Sequence, residues 1–348
     1  MKIFDKIAAH FKANKPFVVY RKPNSKIVSG IFQQNDTLNF VDDFTEKGFV
    51  FAPFDKKEKA ILIPEDISIF FEEEVSLEKS FLDDFDNFYS NEFLKRKHID
   101  IVEKTIHKIK NSELQKIVIS RKEEIKFPKF SFIETYKTLL LKYKNAFGYV
   151  WFHPKIGLWL GATPETLLTF SNNHFKTMSL AGTQVYKGTE NVTWQTKELE
   201  EQELVTQFIK KQLQDITTDL TIKNKETTKA GNLLHLKTVV SGKLNQQNST
   251  FKKLVNALHP TPAVCGLPRE TSKSYILENE GYNRTYYTGF LGELHLQNKS
   301  SLFVNLRCME VDKNIIKIYV GGGITKDSNA LKEWEETVSK SKVMKSIL

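Results

Sequence analysis

The apolar positions of this chain fall into short blocks. Some repeat every second residue, as in strands, and others every third or fourth, as in helices. Residues 2–14 read as a short amphipathic helix. Residues 17–20, 27–32, 48–52 and 60–63 read as strands set apart by Pro, Asn, Asp and Lys turns. The acidic, Phe-rich run 70–93 reads as a connector or a pair of helices. Beyond it Ile99, Val102, Ile106 and Ile109 recur at helical spacing, and 116–121 is a strand. A helix over 132–143 precedes strands over 146–151 and 157–161 and a hairpin whose second arm is 175–178. A long helix over 196–213, a strand over 236–244 and helices over 251–258 and 272–279 follow. Strands over 291–296, 302–311 and 314–320 complete the sheet before a last helix. There is no internal repeat, no βαβ unit with a GxGxxG turn and no Walker loop. Helix-punctuated antiparallel strands of this order spell an α+β architecture.

The end of the chain is the densest stretch. Ile316, Ile318 and Val320 alternate as in a half-buried strand, then come Gly321, Gly322 and Gly323, read as a turn whose backbone can approach a ligand closely. Asp327 or Ser328 can cap the following helix. On that helix Glu333, Glu336 and Lys340 stand at i, i+3 and i+7 and share a face, while Trp334 and Val338 occupy another. An isolated Glu–Lys pair is usually solvated surface; beside three glycines it also fits a site for a cation and an anion together.

Composition narrows the class. With 348 residues and 40% hydrophobic content a large core is affordable, and 26 Phe point to a bulky, sheet-rich interior. The net charge of +9 comes from 51 basic and 42 acidic residues interspersed along the chain, without a basic block or a nucleic-acid motif, so only a general anion preference follows. Cys265 and Cys308 lack metal-site spacing and fit a reducing compartment. No apolar run has membrane-span length, and the N-terminus lacks the apolar core of a signal peptide; a soluble, cytoplasmic protein is expected.

Several residues could do chemistry. Lys116 opens an apolar strand; it is either an edge lysine that blocks pairing or, inside a closed cavity, a usable base. Glu165 follows a proline that fixes its turn, so it is either surface or a carboxyl held protonated in an apolar pocket as a general acid. Glu198 and Glu201 repeat the i, i+3 spacing of Glu333 and Glu336. If the two helices faced each other, four carboxylates would repel unless a hard cation such as Mg²⁺ lay between them. His235 is a core or a site histidine. Tyr287 and Arg307 offer a phenol donor and a bidentate fork for a carboxylate, and Gly182-Thr183 reads as a tight loop with free donors.

Taken together these segments resemble the chorismate-utilising family that includes anthranilate, aminodeoxychorismate, salicylate and isochorismate synthases. The resemblance runs from about Ile99 to the C-terminus. It is carried in order by Lys116-Ile-Val-Ile-Ser-Arg121, Gly161-Ala-Thr-Pro-Glu165, Leu180-Ala-Gly-Thr183, His235-Leu236, His259-Pro-Thr-Pro-Ala-Val-Cys-Gly-Leu-Pro268, Arg284-Thr-Tyr-Tyr-Thr-Gly289, Leu306-Arg-Cys308, Gly321-Gly-Gly-Ile324 and Glu333-Trp-Glu-Glu-Thr337. It implies a single large domain of stacked antiparallel sheets flanked by helices, like anthranilate synthase component I, with a variable scaffold portion over 1–95 and a chorismate-binding core over 96–348. It implies an Mg²⁺ site at Glu201 and Glu333, with Glu198 and Glu336 in or beside the coordination shell. Tyr287, Arg307, Lys340, Gly182, Thr183 and the three glycines would cradle the substrate's carboxylates, and His235 would sit near the reacting ring.

Lys116 points to the branch that adds water rather than ammonia, and Ala181 stands where one type of aminodeoxychorismate synthase has a nucleophilic lysine. The resemblance therefore implies an isochorismate synthase of menaquinone or catechol siderophore synthesis, monomeric, with no glutaminase, nucleic-acid or membrane partner. Lys116, neutral, would take a proton from the water attacking C2 of chorismate; Glu165, protonated, would give one to the departing C4 hydroxyl. Salicylate synthase, which goes on to expel pyruvate, and a non-catalytic anion-binding relative are the alternatives. One position departs from the family pattern: Gln202 stands where a histidine usually follows Glu201, which bears on the groups that orient the metal ligands.

Overall fold

A computed structural model describes residues 2–77, 92–128, 130–230, 233–245, 247 and 249–348. The chain begins with α1 (Ile3–Lys12), β1 (Phe17–Arg21), β2 (Ile27–Gln33), β3 (Asn39–Phe40), β4 (Gly48–Ala52), β5 (Ile61–Pro64) and β6 (Ser68–Glu74). Then come α2 (Glu92–Lys110), β7 (Lys116–Lys126), α3 (Phe132–Lys142), β8 (Phe147–His153), β9 (Gly157–Thr163), β10 (Thr166–Ser171), β11 (His174–Val185) and α4 (Thr196–Leu213). The remainder is β12 (Thr217–Ile222), β13 (Glu226–Ala230), β14 (Leu233–Leu244), α5 (Phe251–Leu258), β15 (Gly266–Leu267), α6 (Arg269–Asn279), β16 (Phe290–Leu296), β17 (Lys299–Val304), β18 (Cys308–Asp312), β19 (Ile315–Ile324) and α7 (Ala330–Lys345).

Two antiparallel sheets carry the molecule. One has nine strands in the order β15-β7-β19-β18-β9-β8-β1-β2-β6; the other has ten, β12-β14-β11-β10-β17-β16-β4-β5-β3, with β13 added beside β14. Strands from the first 75 residues enter both sheets, since β1 pairs with β8 and β4 with β16. The sheets press together through an aromatic layer, where Phe147 stacks on Phe303 at 4.1 Å and Phe51 on Tyr286 at 4.2 Å. The abundance of Phe is used here, in rings large enough to fill the space between two sheets. A second apolar cluster joins the nine-stranded sheet to α1 and α3, and a third joins the ten-stranded sheet to α4 and α5. The α+β arrangement of stacked antiparallel sheets flanked by helices is therefore as expected.

Several local expectations change. Of the run 70–93, β6 takes the first residues and the helix α2 the last two, while 78–91, where the connector or helix pair is expected, lie outside the described residues. The short strands β3, β12, β13 and β15 lack the apolar alternation that would reveal them. The run 302–311 is two strands in different sheets. It breaks at Asn305, whose side chain accepts from Tyr149 Oη (2.6 Å) and donates to the Tyr286 carbonyl (2.9 Å), and at Arg307, with φ of +47°. A polar residue inside an apolar run marks the crossing. The last helix is capped by Asn329, which accepts from the Lys332 amide at 3.1 Å; Ser328 instead accepts from Thr325 N. Among the described residues no helix is long and apolar enough to cross a membrane.

One buried ion pair ties these layers together. Arg284 donates to both Glu280 oxygens (2.7 and 2.5 Å) and to the carbonyls of Val264 (2.9 Å) and Val118 (2.8 Å), and Glu280 also accepts from Ser120 N and Oγ. Both residues are buried. Glu280→Ala would strand a guanidinium in the interior. A loss of about 3–5 kcal/mol is expected, read as a lower urea midpoint with unchanged m.

Candidate active site

A cleft lies between the sheets and the two helices α4 and α7. Lys116, Glu165, Glu201, His235, Tyr287, Arg307 and Lys340 lie in or against it, although they come from seven different elements and connections. Lys116 is fully buried. It is not on a sheet edge, since β7 lies between β15 and β19. Its Nζ donates to Glu201 Oε1 at 2.7 Å. That contact joins β7 to α4 at the floor of the cleft.

Glu165 is also buried, in the turn from β9 to β10. The turn is held by Thr163, whose hydroxyl donates to Val304 O (2.6 Å) and accepts from Glu165 N (3.3 Å). Glu165 Oε1 has no partner among the described residues. Burial pushes this carboxyl up to about 8 against the opposing pull of Lys116 and Arg307, so at neutral pH it is an acid with a proton to give.

The three glycines are not a turn. They continue β19, opposite Ser120, Ile119 and Val118 of β7. The pairing of β19 with β18 stops at Ile318, so the far edge of the glycine stretch opens on the cleft. What the position demands is room. A Cβ on Gly323 would lie 2.7 Å from Lys116 Cε and 2.8 Å from Glu201 Oε1; one on Gly322 would lie 3.3 Å from Glu333 Oε2. The bare strand thus lets carboxylates of α4 and α7 reach the same stretch of backbone. Lys340 closes the group, with Nζ 2.6 Å from Glu336 Oε1 and 3.0 Å from the Gly321 carbonyl.

Gly182 and Thr183 are likewise not a loop but a bulge within β11, where the register against β14 shifts between Ala181 and Gln184. Gly182 takes φ of +69°, the left-handed region. The bulge turns its carbonyl toward His235 Nδ1 (2.9 Å), which fixes the ring tautomer: Nδ1 donates, and Nε2 accepts from Arg307 Nη2 at 2.9 Å. Thr183 Oγ1 lies 3.5 Å from the same Nδ1. Burial, with Arg307 adding to it, lowers His235 to about 3, so the ring is neutral. In this arrangement His235 orients Arg307. Tyr287 stacks on Tyr319 at 5.5 Å, and Tyr319 on Trp159 at 5.5 Å, which seats the phenol on the cleft wall.

Glu201, Glu333 and Glu336 approach the same glycine stretch, Glu198 instead lies over Gly182, and Lys197 joins the group as a partner the sequence reading missed. Lys197, in the first turn of α4, bonds Glu333 Oε1 at 2.8 Å and so bridges α4 to α7. Its position four residues before Glu201 was the available signal. Burial and Glu336 raise the Glu333 carboxyl, with Lys197 opposing. Burial also pushes Glu201 up, but Lys116, Lys340 and Lys197 together hold it below the usual range. Glu198 Oε2 and Glu333 Oε2 are buried without a hydrogen-bond partner among the described residues. An all-oxygen donor set with orphaned oxygens fits a hard divalent cation such as Mg²⁺. The set is not gathered into a finished cage: among the described residues no three His, Cys, Asp or Glu side chains converge closely enough to hold a metal. Gln202 points away from the acids. It donates to Ser179 Oγ (2.9 Å) and Thr238 Oγ1 (3.0 Å), pinning α4 to the sheet beneath.

The family profile described as "Chorismate binding enzyme" matches residues 57–348. Isochorismate synthase EntC of Escherichia coli (strain K12) is 30% identical over 200 residues, 55% of this chain and 51% of that protein. The chain thus spans about half the length of that curated relative. Among solved structures, the menaquinone-specific isochorismate synthase MenF from Escherichia coli superposes with a TM-score of 0.80 at 18% identity, covering 96% of this chain and 88% of the other. Anthranilate synthase component I from Streptococcus pneumoniae TIGR4 superposes with a TM-score of 0.70 at 18% identity, covering 94% and 90%. At these identities the superpositions speak for the fold.

Proposed function

The chain belongs to the chorismate-binding enzyme family, and we propose that it is an isochorismate synthase, converting chorismate reversibly to isochorismate. The observation that carries this reading is a buried, protonated Glu165 sharing one cleft with Lys116, beside a stripe of carboxylates. An acid and a nitrogen base on a dianionic substrate suit loss of the C4 hydroxyl with entry of water at C2.

Arg307, aimed by His235, Tyr287, Lys340 and the open edge of Gly321–Gly323 hold the carboxylates of the substrate. Glu201 and Glu333, with Glu198 and Glu336 beside them, would hold Mg²⁺, which would supply positive charge to a carboxylate of the substrate. Lys116 serves as the base, taking a proton from water as the oxygen bonds C2. Glu165 passes its proton to the C4 oxygen as that bond breaks, and the ring double bonds shift. One water enters and one leaves, so the reaction is an isomerisation.

The first 95 residues serve as scaffold, and the enzyme acts in the cytoplasm as a monomer without a glutaminase, for menaquinone or catechol siderophore synthesis. The names of the relatives support the activity, and Lys116 rather than an amide side chain supports water over ammonia. Chorismate incubated with the protein and Mg²⁺ is expected to give isochorismate by chromatography, and none without the metal. Salicylate and pyruvate appearing together would move the protein to the salicylate synthases. No metal-dependent turnover would make it a binding relative.

A further inference from the structure

Each of three lysines in the acidic cluster takes one carboxylate: Lys116 with Glu201 at 2.7 Å, Lys197 with Glu333 at 2.8 Å and Lys340 with Glu336 at 2.6 Å. We propose that Lys197 is a resident counter-ion that holds Glu333 while no divalent cation is bound and is displaced into solvent when one binds, so that this lysine sets the affinity of the site. The inference rests on the reading of the cluster as an Mg²⁺ site and goes beyond it in naming what the metal must expel.

Four considerations single out Lys197. The first is charge. Four carboxylates against three ammonium groups leave one negative charge. A divalent ion simply added to them would overshoot, whereas exchanging one lysine for it leaves the group neutral. The second is freedom to leave. The Lys116 side chain is 1% exposed and has nowhere to go, and Lys340 is also bonded to the Gly321 carbonyl. Lys197 is 36% exposed on a long flexible stem. The third is position. A lysine in the first turn of a helix meets the positive end of the helix dipole, which Glu198 in the same turn offsets only in part. Glu333 across the gap, with Glu201 and Glu336 adding to it, holds it inward. The fourth is the state of its partner. Glu333 is buried, one oxygen takes Lys197 and the other has no hydrogen-bond partner among the described residues. Without lysine or metal its charge would be stranded, and with both it would be over-neutralised.

The test needs no turnover. Mg²⁺ is titrated by calorimetry into the full chain and into Lys197→Met, without substrate, at one pH and ionic strength. The variant is expected to bind Mg²⁺ at least tenfold tighter, about 1.4 kcal/mol of removed competition. Its metal-free melting temperature should be lower and its Mg²⁺-induced rise larger than in the parent. Lys197→Gln, which keeps a donor toward Glu333, is the fallback if Lys197→Met does not fold, with the same direction of change.

Displacement is read separately from simple charge removal. Acetylation of Lys197 by an amine-reactive ester, followed by peptide mass spectrometry, should rise on adding Mg²⁺ while Lys116 stays protected. Equal or weaker Mg²⁺ binding by Lys197→Met, or Lys197 labelling unchanged by Mg²⁺, overturns the proposal and leaves the metal reading standing. No Mg²⁺ uptake by either protein, with or without chorismate, overturns both.

Discussion

Glu165→Gln is expected to lower turnover of chorismate by about two to four orders of magnitude while leaving chorismate binding nearly intact. The amide matches the carboxyl in size and can still sit in the turn fixed by Thr163, but it has no proton to release to a leaving hydroxyl. The wild-type pH profile should show the same group. Burial sets the carboxyl at about 8 against the attraction of Lys116 and Arg307, so the rate limb governed by the acid should fall as pH rises through about 8. The stability effect has the matching sign. A carboxyl raised in the folded state from its ordinary 4.5 favours folding fully below 4.5, and that contribution is lost as pH rises through about 8. Glu165→Gln should remove both dependences. Full turnover in Glu165→Gln, or a profile without a limb near 8, would show that the proton comes from elsewhere.

Lys116→Ala is expected to cut turnover by a similar two to four orders of magnitude, and it should also destabilise the protein, because Glu201 loses the partner 2.7 Å away. The loss should be smaller than the ~3–5 kcal/mol of a wholly buried pair, since the Glu201 side chain keeps 15% exposure and Lys340 and Lys197 also act on it. Lys116→Gln separates the two effects. Its amide can still donate to Glu201, so the melting temperature should recover, whereas the rate should not, because an amide cannot take a proton from water. Rapid turnover in Lys116→Gln would remove the base from the scheme. Recovery of neither quantity would mean that Lys116 serves chiefly to neutralise Glu201.

The residues of the candidate site could be named from the sequence only through the family resemblance: helical spacing puts Glu198 with Glu201 and Glu333 with Glu336 on common faces, and Pro164 fixes Glu165 in its turn, but each of these also reads as solvated surface. The structure brings both helix faces to one strand of glycines. Less legible was anything that depends on a partner far along the chain. Lys197 looks like one more solvated lysine until Glu333, 136 residues on, is seen against it. His235 reads as either a core histidine or one near the reacting ring; burial makes it a neutral support whose two nitrogens are taken by Gly182 and Arg307. Gly321–Gly323 suggest a turn, because sequence reports the missing side chains and not which neighbours need the space.

The sequence by itself determined the class of architecture, the aromatic filling between the sheets and the set of acids, bases and carboxylate partners, since periodicity, residue size and titratable chemistry are properties of short segments. Only the tertiary structure decided which protons those groups hold and which charges they face. Burial raises Glu165, lowers His235 and pairs each lysine with one carboxylate, and burial belongs to the packed whole: the same side chain in water would keep its ordinary charge.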